Sequence, residues 1–318
     1  MTTSISHTMS FKVWAMLIIL SVLWGGSFFF VGVAVNELPP FTIVTLRVAI
    51  AAIILWGIAF ILGHRPPKQM KVWISFVAIG LLNNVVPFVL IAWGQTQVAS
   101  GIASILNAAT PIFTVIIAGI MLPDERPSIL KIIGAGIGLT GVVVMIGVPT
   151  FGGEGKLLAQ IAIVIATISY AFAGVYGRRF KSMKINPIIT AAGQVTASTF
   201  ILIPVTLFID GPVNVQDINT NTWGAVICLA IFSTAIAYVL YFRILELAGA
   251  TNLLLVTMLI PISAILLGSL FLNESLTAIH FLGMGLIALG LSAIDGRLWK
   301  KIQLAVMKRS NLSCAGSK

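Results

Sequence analysis

The chain has 318 residues, 58% of them apolar and 9% charged, against the roughly 25% charged residues of an ordinary soluble domain. With a mean hydropathy of +1.08, this composition excludes a water-soluble globular protein and fits an all-α integral membrane protein. A net charge of +10 would suit a nucleic-acid partner only if the bases clustered on a folded soluble face; they sit in short loops and a tail, so no nucleic acid is expected.

A window of about 20 apolar residues crosses a hydrocarbon core of roughly 30 Å. Ten segments meet that length: 11–34, 40–62, 71–93, 97–122, 128–148, 156–177, 186–209, 222–243, 247–272 and 277–295. The first has no basic n-region and no A-x-A end, so it reads as a retained span and not a signal peptide. It carries Trp24, an aromatic with a polar handle suited to a pocket wall.

Span 2 contains Arg47, seven residues past Pro40 and so roughly 10 Å from that end. A charge there costs about 3 to 15 kcal/mol before snorkelling or pairing relieves it. A substrate carboxylate is one explanation, through the bidentate fit of guanidinium. A structural role, on helix carbonyls or towards Glu37, is the other. Span 3 holds "NNVVP", with Asn83 and Asn84 one turn before Pro87. Adjacent residues do not share a helix face, so at most one of the two, Asn83, is expected to point at a solute.

In span 4, Ser100, Ser104, Asn107, Pro111, Thr114 and Ala118 fall on one helix face. Span 9 repeats that stripe with Ala250, Leu254, Thr257, Pro261, Ala264 and Gly268. An intramembrane proline frees a backbone carbonyl that a cavity can use. Asn107, Pro111, Thr257 and Pro261 are therefore candidates for cavity lining, with close helix packing as the alternative. Tyr170 and Tyr176 in span 6, Tyr238 and Tyr241 in span 8, and Trp93 in span 3 could line a pocket or sit in the interfacial belt. The glycines of spans 5 and 10 are read as packing residues.

Sliding the chain on itself by about 150 residues superposes Trp73 on Trp223, Phe88 on Tyr238 and Pro111 on Pro261. With one deletion, Glu125 meets Glu274, and Gly134, Gly136 and Gly141 meet Gly283, Gly285 and Gly290. Pro40 meets Pro187 three residues off that frame, and Arg47 then meets the neutral Gln194. Each half has five spans, an odd number, so the second half enters the membrane inverted. The expected units are a first five-helix repeat over 1–150, a second, inverted one over 151–296, and a basic cytoplasmic tail over 297–318. Inverted repeats place a substrate site near the midplane between them and permit alternating access.

A cytoplasmic N-terminus puts 17 of the 19 Lys and Arg on the cytoplasmic side, which the positive-inside rule favours. Both termini are then cytoplasmic. The tail mixes apolar and basic residues as a segment lying on an anionic leaflet does, or is partly disordered.

The "LWGGSFF" at 23–29, "FTIVTLR" at 41–47, "LPDERPS" at 122–128 and the glycine-rich spans 5 and 10 resemble the drug/metabolite transporter superfamily, specifically its EamA-type exporters. The resemblance covers nearly the whole chain. It implies a carrier in a bacterial cytoplasmic (inner) membrane, exporting amino acids or related metabolites from a central cavity lined by helices of both halves.

Other classes are poorly served. Cys228 and Cys314 form neither a disulfide framework nor a CxxC pair, and neither a metal nor another cofactor is expected. "GAGIGLTG" (134–141) lies inside a span and follows no strand, so it is no phosphate loop. No nucleophile–base set is apparent, and an enzyme is not expected. No Asp or Glu lies well inside a span, which leaves His280 as the single candidate proton relay. The reading is a secondary transporter of a small-molecule substrate in the lipid bilayer. An importer or exchanger of the same fold is the alternative, then a non-transporting membrane sensor. A homodimer is neither required nor excluded.

Overall fold

The computed structural model describes residues 10–122, 128–146, 154–214, 216, 218–253 and 255–295. These form ten helices. α1 is Phe11–Ala34, α2 Pro40–Ile61, α3 Met70–Gly94 and α4 Ser100–Met121. α5 is Ile129–Ile146, α6 Glu154–Ser182 and α7 Pro187–Ile209. α8 runs through Thr220–Ala230, Ile231–Ile236 and Ala237–Leu253; α9 is Leu255–Phe271 and α10 Ala278–Asp295. Seven are long and apolar enough to cross a membrane by that measure, while those of α5, α9 and α10 are shorter apolar helices, near the low end of the spanning range. Large apolar side chains such as Phe208, Phe11 and Ile61 point outward, as lipid contact requires.

The ends follow local chemistry. Pro40 and Pro187 occupy the first helical turn, where a missing N–H costs nothing. Asn186 Oδ1 accepts from the N–H of Ile188 at 2.8 Å, which caps α7. Gly63 and Gly211 follow α2 and α7 at φ of 78° and 69°, the left-handed stop that glycine tolerates. α8 extends ten residues beyond the expected end at 243, because "ILELAGA" holds good helix formers and no proline.

Alternate helices start on opposite faces: α1 begins on what is here the near face, and α2 on the far face. The most extensive contacts recur when each helix is exchanged with the one five later. α1 packs on α9 and α8 as α6 packs on α4 and α3; α2 lies on α8 as α7 lies on α3. The pairs α2–α7, α4–α9 and α5–α10 map onto themselves. This is the two-fold relation of an inverted repeat.

α5 and α10 make the most extensive contact, and the glycines explain it. A Cβ on Gly134 would lie 2.7 Å from the carbonyl oxygen of Gly290, and one on Gly141 would lie 2.8 Å from that of Gly283. The two backbones therefore touch. Gly136 and Gly285 differ, having nothing within 4 Å of the Cβ position; they lie outside that seam.

α3 and α8 each contain a π turn, Leu81–Val85 and Ile231–Ile236. The turns begin 150 residues apart, in the frame of the Trp, Phe/Tyr and Pro matches. A π turn closes its hydrogen bonds five residues apart and rotates the side chains that follow. Both open toward the interior between the halves.

Candidate functional site

Arg47 is buried, with 7% of its surface exposed. Its Nε donates to Thr234 Oγ1 at 2.8 Å, and Thr234 Oγ1 donates in turn to the carbonyl of Leu229. The guanidinium carbon lies 3.6 Å from the centre of the Phe88 ring, a cation–π contact. Thr234 belongs to the π turn of α8, so one half's arginine is held by a side-chain hydroxyl on the other half's irregular turn. No carboxylate pairs with Arg47 among the described residues. Phe88 packs in one apolar cluster with Tyr170 and Tyr238.

The repeat-related position is built from neutral groups. Gln194 Oε1 accepts from Asn83 Nδ2 at 3.2 Å, and Asn83 Nδ2 also reaches Tyr238 Oη at 3.2 Å. Tyr238 Oη donates to Asn84 Oδ1 at 2.8 Å, and Asn84 Nδ2 donates to Ser198 Oγ at 3.2 Å. Adjacent asparagines thus meet one hydroxyl, because the π turn places them where a regular helix would not. Asn84 is fully buried, whereas Asn83 keeps a partly open surface.

A second group lies on α1, α4 and α9. Trp24 packs on Tyr241 with ring centres 5.7 Å apart, and Tyr241 neighbours Tyr238 electrostatically. α4 is interrupted: its first segment ends at Asn107 and the second starts at Thr110, with Pro111 in its first turn. Asn107 Oδ1 is buried without a hydrogen-bond donor, as is Ser233 Oγ in the π turn of α8. Buried acceptors left unpaired cost about 1 to 3 kcal/mol each, so both atoms are suited to a ligand or water. Pro111 is buried; Pro261 is buried too, but within an unbroken helix. Thr257 is half-buried on α9.

Two of the predicted site residues, Asn83 and Tyr238, are hydrogen-bonded to each other, and Arg47 stacks on Phe88, which packs in the same apolar cluster as Tyr238. Trp24, Asn107, Pro111, Thr257 and Pro261 belong to the α1–α4–α9 side. Tyr170 packs against the apolar clusters of both sides. Gln194, Thr234, Ser233 and Phe88 complete the site. Each is the repeat mate of a residue that sequence reading singled out, and that relation was the available signal.

The other aromatics lie elsewhere. Trp93 is 41% exposed near the far end of α3. Tyr176 accepts from Arg179 Nη1 at 2.6 Å near the near end of α6, an interfacial arrangement. His280 Nδ1 is engaged by the backbone N–H of Thr277 at 3.1 Å and its hydroxyl at 3.0 Å, a local contact at the start of α10. The tail, Asp124 and Glu125 lie outside the described residues.

The profile of the EamA-like transporter family matches residues 12–147 and again 157–294. The chain belongs to the EamA-like transporter family. It is thus a multi-pass membrane transporter of the drug/metabolite transporter superfamily and not an enzyme. An "Uncharacterized transporter" of Archaeoglobus fulgidus is 30% identical over 280 residues, covering 88% of this EamA-like chain and 97% of that one. The "Uncharacterized inner membrane transporter YedA" of Escherichia coli K12 is 29% identical over 277 residues, or 85% and 86% of the two chains. A solved crystal structure superposes with a TM-score of 0.64 over 92% of this chain and 98% of its own, at 19% identity; that likeness concerns the fold alone.

Proposed function

We propose that this EamA-like transporter exports small organic metabolites, amino acids or related compounds, across a bacterial cytoplasmic (inner) membrane by alternating access. The observation that carries the reading is Arg47: a buried guanidinium at the seam of the halves, anchored through Nε and Phe88 and paired with no carboxylate among the described residues. Such a group is preorganised to receive a solute carboxylate. Asn83, Tyr238 and Tyr170 supply polar contacts beside it. Trp24, Asn107, Pro111, Thr257 and Pro261 form the opposite wall, where Asn107 Oδ1 awaits a donor such as an ammonium group, as does Ser233 Oγ in the π turn of α8.

The halves that rock are residues 1–150 and 151–296. The near face is cytoplasmic, as the distribution of 17 of 19 bases supports, and both termini lie there. YedA's description as an inner membrane transporter is consistent with that membrane. The three acidic side chains described, Glu37, Asp210 and Glu274, are engaged at helix starts on the far face, so export driven by the solute's own gradient is the simplest coupling.

The test is metabolite profiling of the medium from cells producing the protein or its Arg47→Ala form at equal membrane levels. Accumulation of a few carboxylate-bearing solutes with the parent, and at least ten-fold less with the variant, is expected. Equal accumulation from both would remove Arg47 from the site, and accumulation from neither would refute export.

A further inference from the structure

We propose that Glu37, Asp210 and Glu274 form a three-point latch that holds the far face shut between the two halves. The inference rests on the alternating-access reading above. Each carboxylate leaves its own half to cap a helix of the other. Glu37 Oε2 accepts from the N–H of Asn219, just before α8, at 2.8 Å. Asp210 Oδ2 accepts from the N–H of Thr42 at 2.7 Å and from its hydroxyl at 2.8 Å, in the first turn of α2. Glu274 takes the N–H of Ser100 on Oε1 at 2.7 Å and that of Gly101 on Oε2 at 3.0 Å, at the start of α4.

A helix start presents free N–H groups and the positive end of its dipole, so it favours an anion. These contacts exist only while the halves meet at this face. Opening it exchanges each of them for water.

In the duplication two of the three points lack an acidic counterpart, while Glu274 corresponds to Glu125, which lies outside the described residues. In the Pro40–Pro187 frame Glu37 corresponds to Lys184; Asp210 corresponds, one residue off that frame, to Leu62, the residue that likewise follows α2. Neither a lysine nor a leucine side chain can accept from an N–H group. At the near face the end of α2 and the start of α7 meet instead through His64 Nε2 and Asn186 Nδ2, 3.1 Å apart, with no carboxylate in the contact.

The seat of Glu274 is also shaped for it. A Cβ at Gly268 would collide with the Glu274 carboxylate, and one at Gly32 would meet Ser100 Oγ at 2.5 Å. A cavity of about 300 Å³ borders the contact, lined by Gly32, Gln95, Ser100 and Glu274 among others. It gives the carboxylate room to leave. Gln95 Oε1 is buried beside it without a donor, so the neighbourhood is not fully satisfied in the latched arrangement.

The experiment reads access and needs no solute. In a Cys228→Ala, Cys314→Ala background, Asn107→Cys reports on the interior through a membrane-impermeant maleimide added outside intact cells. Glu37→Ala, Asp210→Ala and Glu274→Ala should each speed labelling about five-fold, the effect of losing one helix cap. Glu274→Gln keeps the size of the side chain but leaves one acceptor oxygen for the two N–H groups of Ser100 and Gly101, and should also speed labelling from outside. Unchanged labelling in variants that reach full membrane levels overturns the latch. Should the alanine variants not accumulate, an unchanged rate in Glu274→Gln overturns it by itself. Thr96→Cys, on the exposed far-face loop, checks orientation separately. If it labels only in inverted vesicles, the assigned orientation has failed, and the same comparison in those vesicles decides the latch.

Discussion

Gly134 and Gly136 stand two residues apart in one glycine-rich helix, yet alanine should act oppositely at the two. At Gly134 the new Cβ would lie 2.7 Å from the Gly290 oxygen, 2.9 Å from Ala293 Cβ and 3.0 Å from Ile294 N. Two of these atoms are backbone and the third is a Cβ, so none can swing aside and α5 must move off α10. Overpacking of this kind costs about 1 to 3 kcal/mol. At Gly136 nothing lies within 4 Å, and only the helix-propensity gain of up to about 1 kcal/mol remains. Since that gain is common to both, the difference between the variants isolates the contact, at about 1 to 3 kcal/mol. At about 2 to 4 °C per kcal/mol for a chain somewhat smaller than this, Gly134→Ala should melt roughly 3 to 10 °C below Gly136→Ala. Size-exclusion analysis of detergent-solubilised protein after heating gives both apparent Tm values. Values within a degree of each other would refute backbone contact at this seam.

Other predictions concern the site and its surroundings. Thr234→Val removes the acceptor of Arg47 Nε, a charge-assisted hydrogen bond worth about 1.5 to 3 kcal/mol; the KM for exported carboxylates should rise at least ten-fold, with the neutral-solute rate as the control that must not change. Labelling of Asn107→Cys should slow when carboxylate solute is present, and indifference to solute would take Asn107 off the cavity wall. Glu37 has a depressed pKa, first because the Asn219 N–H binds its carboxylate and then because the Thr222 hydroxyl does. Its contribution is therefore complete above the ordinary glutamate pKa of about 4.3 and is lost as pH falls through the lowered value. The Tm difference between the parent and Glu37→Gln should hold from neutral pH to about pH 5 and vanish at lower pH; a difference still intact at pH 3 would contradict the cap.

Hydrophobic length and repeated punctuation carried most of the architecture. Proline, glycine and tryptophan recur in fixed register because they mark helix starts, backbone contact and bends, and those constraints survive where leucine and isoleucine drift. Arg47 stood out because charge is costly in its position. Its partner did not, because Thr234 reaches it through a π turn, and a one-residue change in hydrogen-bond spacing has no compositional signature. The same turn is why Asn83 and Asn84 both meet Tyr238, against the expectation from regular helix geometry. Pro111 and Pro261 looked equivalent, yet α4 breaks at Asn107 and α9 runs straight through; backbone paths that differ between halves leave no trace in matched residues. The acids at span ends were visible, but not the helices they cap, which lie more than 160 residues away in sequence.

The matched π turns bear on ancestry. Two independent insertions at the same register, 150 residues apart, are less economical than one insertion inherited by both copies. On that reckoning the ancestral five-helix polypeptide already carried the irregular turn and worked as an antiparallel pair of identical chains, each offering the same group to its twin. Arg47 facing one turn and Gln194 facing the other can then have arisen only after duplication freed the copies from sequence identity. The buried charge of Arg47 is, by this order of events, younger than the irregular turn that anchors it.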